Sequence, residues 1–411
     1  MKIHKIEWFD EFECIGGECP QTCCKGWLIP LDEEDLLRYR KERGRLTLSL
    51  FTATAGFTRN RINLCSGKCR FHTRDGLCRL QLKKGHDFIP WACRSFPRFY
   101  RNYGEFEERY LDLSCIAAAR IFVRNMGSMR IISEAATAPE TKPCTTNDDM
   151  AYLNTLLKMR EDIIRTVLAV YSEDVTENNS VLTTVFSYVC HIQDLYAGGC
   201  EEIQIPAFHD YCSQWDKPAC KPQTDTSSSG KSSVFPLRVN MMSCLTETIK
   251  YYFGQKKTGT ALYGLLSDAQ DILADYRRKD VDIAVKINEI LASGTPLSML
   301  PGAYLSYYMY QYFLDAYETY SLRRITALGI IHTNMILFLI LVLSEKRTAK
   351  SNKTAASEKA MEVTGESMTE GRKTADISME DIAYIIALYN RKAYFNETIQ
   401  NNLYKIFEEM T

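Results

Sequence analysis

Apolar side chains recur at helical spacing along most of the chain after residue 114. Within residues 149–168, leucine, isoleucine and valine return every three to four positions, and residues 181–195 continue the pattern. This spacing places the apolar side chains on one face of an α-helix. Further periodic runs cover residues 239–253, 260–276, 281–291 and 296–317. The sequence therefore predicts a mainly α protein with a large all-helical region.

Residues 1–122 follow a different pattern, in which short apolar runs alternate with Cys, Gly and Pro. Short apolar runs interrupted in this way are typical of loops and short elements that are held together by metal ligation rather than by a periodic hydrophobic core. Little strand signal is visible, except that the Tyr- and Phe-rich residues 98–113 around Tyr103 and Gly104 favour a β-hairpin. We therefore predict an irregular, cysteine-rich, metal-binding N-terminal module packed on the helical region.

One apolar run, Ile325–Leu343, is long enough to cross a bilayer. It also contains Thr326, His332, Thr333 and Asn334, and basic pairs flank it on both sides, so the flanks give no orientation bias. A buried core helix, with His332 hydrogen-bonded inside it, is the favoured interpretation. A membrane partner is accordingly disfavoured.

Composition changes divide the rest of the chain. A helical domain is predicted over residues 123–345, and the polar, Pro/Ser-rich residues 216–233 within it indicate an exposed loop. Residues 346–378 have the composition of a mobile linker. The amphipathic residues 379–411 predict a C-terminal helix.

The overall composition narrows the function classes. The chain has 411 residues, with 50 Lys+Arg against 51 Asp+Glu, and it is 45% hydrophobic. This balance is that of an ordinary globular protein and gives no basis for nucleic-acid binding. The 15 cysteines form an odd total, and no signal peptide is visible at the N-terminus. We therefore predict a cytoplasmic protein whose thiols hold metal rather than disulfides.

The cysteines are concentrated at closely spaced positions before residue 116. Spacings of two to four residues suit chelation of a soft metal by thiolates, and they leave both zinc and iron–sulfur open. The first block is Cys14, Cys19, Cys23 and Cys24, the second is Cys65, Cys69 and Cys78, and two single cysteines are Cys93 and Cys115. The later cysteines are isolated, which favours structural roles for Cys144, Cys190, Cys200, Cys212, Cys220 and Cys244.

Motifs for other chemistry are absent from the sequence. There is no GxGxxG following a strand, no P-loop and no CxxxCxxC of the radical S-adenosylmethionine type. The tyrosine-rich residues 304–313 are interpreted as core and helix surface, although such rings would also suit a bound ammonium group. The cysteine spacing is thus the main chemical signal.

Four short strings give this signal a more specific meaning. They read CCKGW at Cys23–Trp27, DGLC at Asp75–Cys78, CRSFPR at Cys93–Arg98 and LSC at Leu113–Cys115. With these strings, residues 7–124 resemble the flagellin lysine-N-methylase family, within the wider group of zinc- or iron-chelating CxxCxxCC proteins.

The resemblance implies methylation of the ε-amino groups of surface lysines on flagellin, with S-adenosylmethionine as methyl donor, in the bacterial cytoplasm. It also implies a thiol-held iron–sulfur cluster, as a [4Fe–4S] centre, with zinc as the alternative. No residue is assigned as the catalytic base or to the methyl donor. The implied metal ligands are Cys14, Cys19, Cys23, Cys24, Cys69, Cys78, Cys93 and Cys115.

A second hypothesis from a different class remains open. A non-enzymatic zinc- or iron-binding protein, or a chaperone-like interaction protein, would also need the cysteine module and a helical partner surface. Binding of S-adenosylmethionine separates the two hypotheses, because a pure metal carrier has no use for this ligand.

Overall fold

The chain folds into two compact units in the computed structural model. The first unit comprises residues 1–122 and 130–144, and the second comprises residues 123–129 and 145–411. The structure describes residues 1–26, 28–136, 138–143, 145, 149–173, 178–197, 205–215, 239–254, 261–292, 297–359, 377–394 and 396–410. The predicted loop at 216–233 lies outside the described residues, as do Trp27, Cys144, Cys200 and Cys220.

A four-stranded sheet organises the first unit, where the sequence predicted an irregular module. Strand β1 (Lys2–Ile6) runs parallel to β7 (Phe106–Leu111) and antiparallel to β8 (Ile131–Ala135). Strand β6 (Arg98–Asn102) pairs antiparallel with β7, which confirms the predicted hairpin. The strand order is β6-β7-β1-β8, so the prediction of little further strand structure was wrong. The strands that pair with β1 lie more than a hundred residues later in the sequence, so no local turn pattern predicts this pairing.

Short elements fill the rest of the first unit. A hydrophobic core among these elements contains Tyr39, Leu50, Phe71 and Leu80, all almost completely buried. The short strands are β2 (Ile29–Pro30), β3 (Arg61–Ile62), β4 (Leu64–Cys65) and β5 (Lys68–Cys69). The helices are α1 (Glu33–Lys41), α2 (Thr47–Ala53), α3 (Arg79–Lys84), α4 (Trp91–Ser95) and α5 (Ile116–Arg124).

The second unit is helical where described, so the predicted mainly α character is confirmed. Its first helices are α6 (Met150–Glu173), α7 (Asn178–Ala197), α8 (Phe208–Trp215), α9 (Val239–Gly254), α10 (Ala261–Lys279) and α11 (Ile283–Leu291). Its later helices are α12 (Leu300–Tyr312), α13 (Ala316–Thr319), α14 (Leu322–Lys359), α15 (Met379–Tyr389) and α16 (Glu397–Met410).

Helix α14 forms the centre of this unit. Helices α7, α10, α12, α15 and α16 all pack against it. Its segment Leu322–Ser351 is long and apolar enough to cross a membrane, yet its most apolar 18-residue window, with a mean hydropathy of 2.2, is entirely buried inside the protein. Burial on every side is what a core helix requires, in line with the favoured interpretation of this run.

Two predicted boundaries differ from the structure. Helix α14 continues to Lys359, so the first part of the predicted mobile linker at 346–378 is helical, whereas residues 360–376 lie outside the described residues. The alanines, lysines and glutamate after residue 346 are good helix formers, and they extend a helix that is already nucleated. The predicted single C-terminal helix is two helices, α15 and α16, separated by a π-helical turn at Asn390–Tyr394.

Gly302 of α12 allows this helix to approach α6 closely. A Cβ at Gly302 would lie 2.4 Å from Cδ2 and 3.0 Å from Cβ of Tyr171, whose side chain is buried. We expect Gly302→Ala to lower the free energy of unfolding by about 2–3 kcal/mol in urea titrations, because the added methyl overpacks the contact. Gly264→Ala is the matched control, since nothing lies within 4 Å of its Cβ position in α10. This control should gain about 1 kcal/mol from helix propensity. Equal changes in both variants would contradict the packing argument.

Candidate functional site

Four predicted metal ligands lie at the hydrophobic core of the first unit that contains Tyr39 and Phe71. Cys69 of β5 belongs to this core, and Cys24, Cys78 and Cys93 pack against it. The backbone joins two of these positions, since the Cys69 N–H donates to the Cys24 carbonyl at 2.8 Å. The fold thus collects thiols that are up to 69 residues apart in sequence, from residue 24 to residue 93.

The environment of three of these thiols, Cys69, Cys78 and Cys93, disfavours their charged form. Burial is the largest cause that raises the pKa of Cys69 to about 11, and it also raises the pKa values of Cys78 and Cys93. The neighbouring thiols add to the shift, because the charge of Cys24 raises the pKa of each of the other three. Such mutual influence requires short separations. Thiolates at these positions therefore need a compensating cation.

A second set of thiols continues from the first. Hydrogen bonding to Cys24 is the largest cause that raises the pKa of Cys23, followed by burial and by the charges of Cys24, Cys93 and Cys115. Burial raises the pKa of Cys115 to about 11, although the N–H groups of Ala117 and Ala118 at the start of α5 oppose this shift. The charge of Cys19 also raises the pKa of Cys115. Cys23 thus connects the two sets.

These seven cysteines form what we call the thiol cluster: Cys19, Cys23, Cys24, Cys69, Cys78, Cys93 and Cys115. Of the eight predicted ligands, the remaining one, Cys14, is exposed, as is Cys65. Within the described part of the chain, no group of three or more His, Cys, Asp or Glu side chains is placed as a metal site. Metal ligation by these residues stays a prediction. Among the later cysteines, Cys190, Cys212 and Cys244 lie on separate helices of the second unit.

Asp35 fixes the helix that carries Cys93, a role that the sequence analysis did not find. Asp35 is 1% exposed, and its two carboxylate oxygens accept the Trp91 N–H at 3.2 and 3.1 Å. Trp91 is the first residue of α4, so the carboxylate satisfies a free N–H at that helix start. Asp35 also completes a capping box with Asp32 and pairs with Arg38. One carboxylate therefore ties α1 to α4.

Arginines near the thiol cluster have different surroundings. Arg79 lowers the pKa of Cys78, while its guanidinium lies 5.5 Å from the centroid of the Phe71 ring. Arg94 lies 5.6 Å from the Trp91 ring centroid, and Arg98 donates to the Phe12 carbonyl at 2.7 Å. Arg79 and Arg94 thus contact aromatic rings, and Arg79 also stabilises negative charge on a nearby thiol.

The second unit has a buried polar group of its own. His332 of α14 is wholly buried, and its Nδ1 lies 2.8 Å from the Tyr389 hydroxyl. Next to Tyr389, Asn390 begins the π-helical turn and accepts a hydrogen bond from the Tyr304 hydroxyl at 2.7 Å. Burial lowers the pKa of His332 to about 3, so the imidazole is neutral. The predicted hydrogen-bonded core histidine is thus confirmed, and the tyrosines Tyr304, Tyr307, Tyr308 and Tyr310 are buried as predicted.

Three curated Salmonella proteins are similar to the chain, each with 30% identity over 112 residues, or 25% of this chain. Two are named Lysine-N-methylase, from Salmonella choleraesuis (strain SC-B67) and Salmonella typhimurium (strain LT2), and the matched segment covers 28% of each. The third is the flagellar biosynthetic protein FliU of Salmonella muenchen, with 66% covered. These similarities support a relationship to the lysine-N-methylases. No family model and no solved structure matches the chain.

The relationship agrees with the resemblance that the four cysteine-containing strings indicated. The matched segment spans less than a third of the length of the two lysine-N-methylases. The relatives' names point to a methyltransferase-like role and to a flagellar connection.

Proposed function

We propose that this protein is a protein-lysine N-methyltransferase that acts on surface lysines of flagellin with S-adenosylmethionine as donor. The observation that carries the proposal is the similarity to two lysine-N-methylases and to a flagellar biosynthetic protein. The flagellar name of the third relative supports flagellin as the protein partner. We place this activity in the cytoplasm.

We further propose that the thiol cluster holds a metal centre, as a [4Fe–4S] cluster, with zinc as the alternative. The donor chemistry fits, because thiolates are the preferred ligands of both. The electrostatics also fit, since the raised pKa values of Cys69, Cys93 and Cys115 mark sites where a thiolate needs a nearby cation. A bound cluster would supply redox chemistry or a structural clamp.

The residues of the chain would hold and orient such a centre. Cys24, Cys69, Cys78 and Cys93 provide four thiols at one core, and Cys19, Cys23 and Cys115 provide three more beside them. N–H groups at the start of α3 stabilise negative charge on Cys78, and those at the start of α5 do so on Cys115. Asp35 holds α4 and with it Cys93. The apolar surroundings of Cys69 keep this thiol buried, while Cys24, Cys78 and Cys93 are partly exposed.

Analysis of bound metal and sulfide tests whether the thiol cluster holds a metal centre. We expect protein purified without oxygen to contain about four iron and about four sulfide per chain. Cys69→Ser should weaken metal binding by about tenfold or more, because it removes a donor from the buried set. Cys244→Ser is the matched control, since Cys244 is exposed on α9. Equal metal loss in both variants would contradict ligation by the thiol cluster, and zinc without sulfide would replace the iron–sulfur assignment.

Methyl transfer tests the activity. Metal-loaded protein would be incubated with unmethylated flagellin and S-adenosylmethionine, and lysine methylation would be mapped by mass spectrometry. We expect methyl groups on surface lysines. Failure of fully loaded protein to methylate flagellin or to bind S-adenosylmethionine would overturn the enzyme proposal and favour a non-enzymatic metal-binding or chaperone-like protein.

A further inference from the structure

A tyrosine-lined groove opens on the second unit, away from any residue that the proposed function uses. It lies between α9, α10 and α16 and has a volume of about 790 Å³. Three tyrosines line it, Tyr251 and Tyr252 from α9 and Tyr263 from α10. Tyrosine faces carry negative electrostatic potential, so a set of them suits a cationic group.

The groove already holds one ammonium group. The Nζ atom of Lys250 lies 5.3 Å from the centroid of the Tyr263 ring, inside the range of a cation–π interaction. The same Nζ donates a hydrogen bond to Oε1 of Gln270. Both contacts are what an amine from another chain would use. Lys250 therefore serves as an internal example of the ligand that fits this subsite.

The other side chains that line the groove make contacts that do not involve Lys250. Tyr252 meets the edge of Tyr251 with ring centroids 5.6 Å apart, and its hydroxyl accepts a hydrogen bond from Asn402 of α16 at 2.7 Å. Tyr251 is 63% exposed, so its ring is accessible from solvent. Glu247 lies one turn before Tyr251 on α9 and adds a carboxylate to the lining.

We propose that this groove binds the ε-ammonium of a lysine presented by a polypeptide, and that Lys250 occupies the cation subsite until that lysine displaces it. The exchange leaves one positive charge against Tyr263 and Gln270 throughout. Lys250 has a long, flexible stem and is able to move its ammonium into water. This inference rests on the proposed function, for which it supplies a recognition site for the amino-acid class that is methylated.

The test is a binding titration on the full-length chain with a fluorescent peptide that carries a single lysine. Lys250→Met removes the competing ammonium from the subsite and should tighten Kd by about two- to fivefold, the range expected for an exposed cation–π contact. Tyr263→Leu in the Lys250→Met background should remove this gain, while Tyr263→Phe should keep most of it because the ring remains. Lys286→Met is the charge-matched control, since Lys286 pairs with Glu289 on α11.

The outcomes separate this inference from the proposed activity. A peptide with norleucine in place of lysine should not bind. Unchanged or weaker binding by Lys250→Met, in protein whose melting temperature shows that it is folded, would overturn the inference. Methylation of flagellin with a KM that responds to neither Lys250→Met nor Tyr263→Leu would also overturn it while leaving the proposed activity intact. Lysine-dependent binding without any methylation would support the recognition site and contradict the proposed methyltransferase activity.

Discussion

Acidification from pH 7 to pH 4 is expected to cost the protein about 3 kcal/mol of folding free energy through His332 alone. The folded-state pKa of His332 is about 3, against 6.5 for an unburied histidine. The unfolded chain therefore binds a proton that the folded chain excludes, and the stabilisation is complete above pH 6.5. It is lost progressively as the pH falls toward 3.

The measurement is urea denaturation of wild type and His332→Gln at several pH values between 7 and 4. Glutamine keeps a hydrogen-bonding group near the Tyr389 hydroxyl but has no proton to gain in this range. The variant should lose less stability on acidification than the wild type. The groups facing His332 include the rings of Tyr308 and Tyr389, and burial raises the pKa of Tyr389 well above this pH window.

His209→Gln is the matched control, because the His209 side chain is exposed to solvent on α8. Its pH profile should follow that of the wild type. If His332→Gln shows the same pH slope as the wild type, burial of the neutral imidazole is not the origin of the acid sensitivity.

Replacement of Asp35 by alanine should destabilise the first unit by about 3 kcal/mol. The change removes a buried carboxylate that accepts the Trp91 N–H and pairs with Arg38. Hydrogen bonds to a charged group contribute about 1.5–3 kcal/mol each, and loss of the capping box adds to this. Asp32→Ala is the control, since it removes only the cap of α1 and should cost about 1 kcal/mol.

A second measurement distinguishes positioning from general stability. Cys93 has a raised pKa and packs against the core, so it should react slowly with a thiol reagent in the wild type. Mass-spectrometric mapping should find faster labelling of Cys93 in Asp35→Ala than in Asp32→Ala, under conditions where both are folded. Equal labelling rates would show that Asp35 does not hold α4.

Local patterns predicted the helices and the hairpin, and they missed what depends on distant pairing. Strands β6 and β7 are joined by a short turn at Tyr103-Gly104, so their signal is contained in sixteen consecutive residues, 98–113. Strand β1 pairs with β7 about a hundred positions later, with Lys2 opposite Phe106. Hydrophobic periodicity does not identify this partner, because the alternating pattern of a strand shows which side chains share a face and does not show which strand lies beside it.

The sequence likewise predicted only part of the candidate site. Cysteine spacing predicted a concentration of thiols, and the structure places four of them, Cys24, Cys69, Cys78 and Cys93, at one hydrophobic core. Spacing did not show that Cys23 and Cys24, adjacent in sequence, have different neighbours. Asp35 carried no signal beyond that of a helix cap, since its bond to Trp91 spans 56 positions. The tyrosine groove likewise arises only when α9, α10 and α16 are packed.

The order of strands in the sheet has a consequence for synthesis of the chain. Strand β1 leaves the ribosome before both of its partners, residues 106–111 and 131–135. Every member of the thiol cluster, from Cys19 to Cys115, is encoded between β1 and β8. All seven thiols are therefore already translated before the last strand can close the sheet.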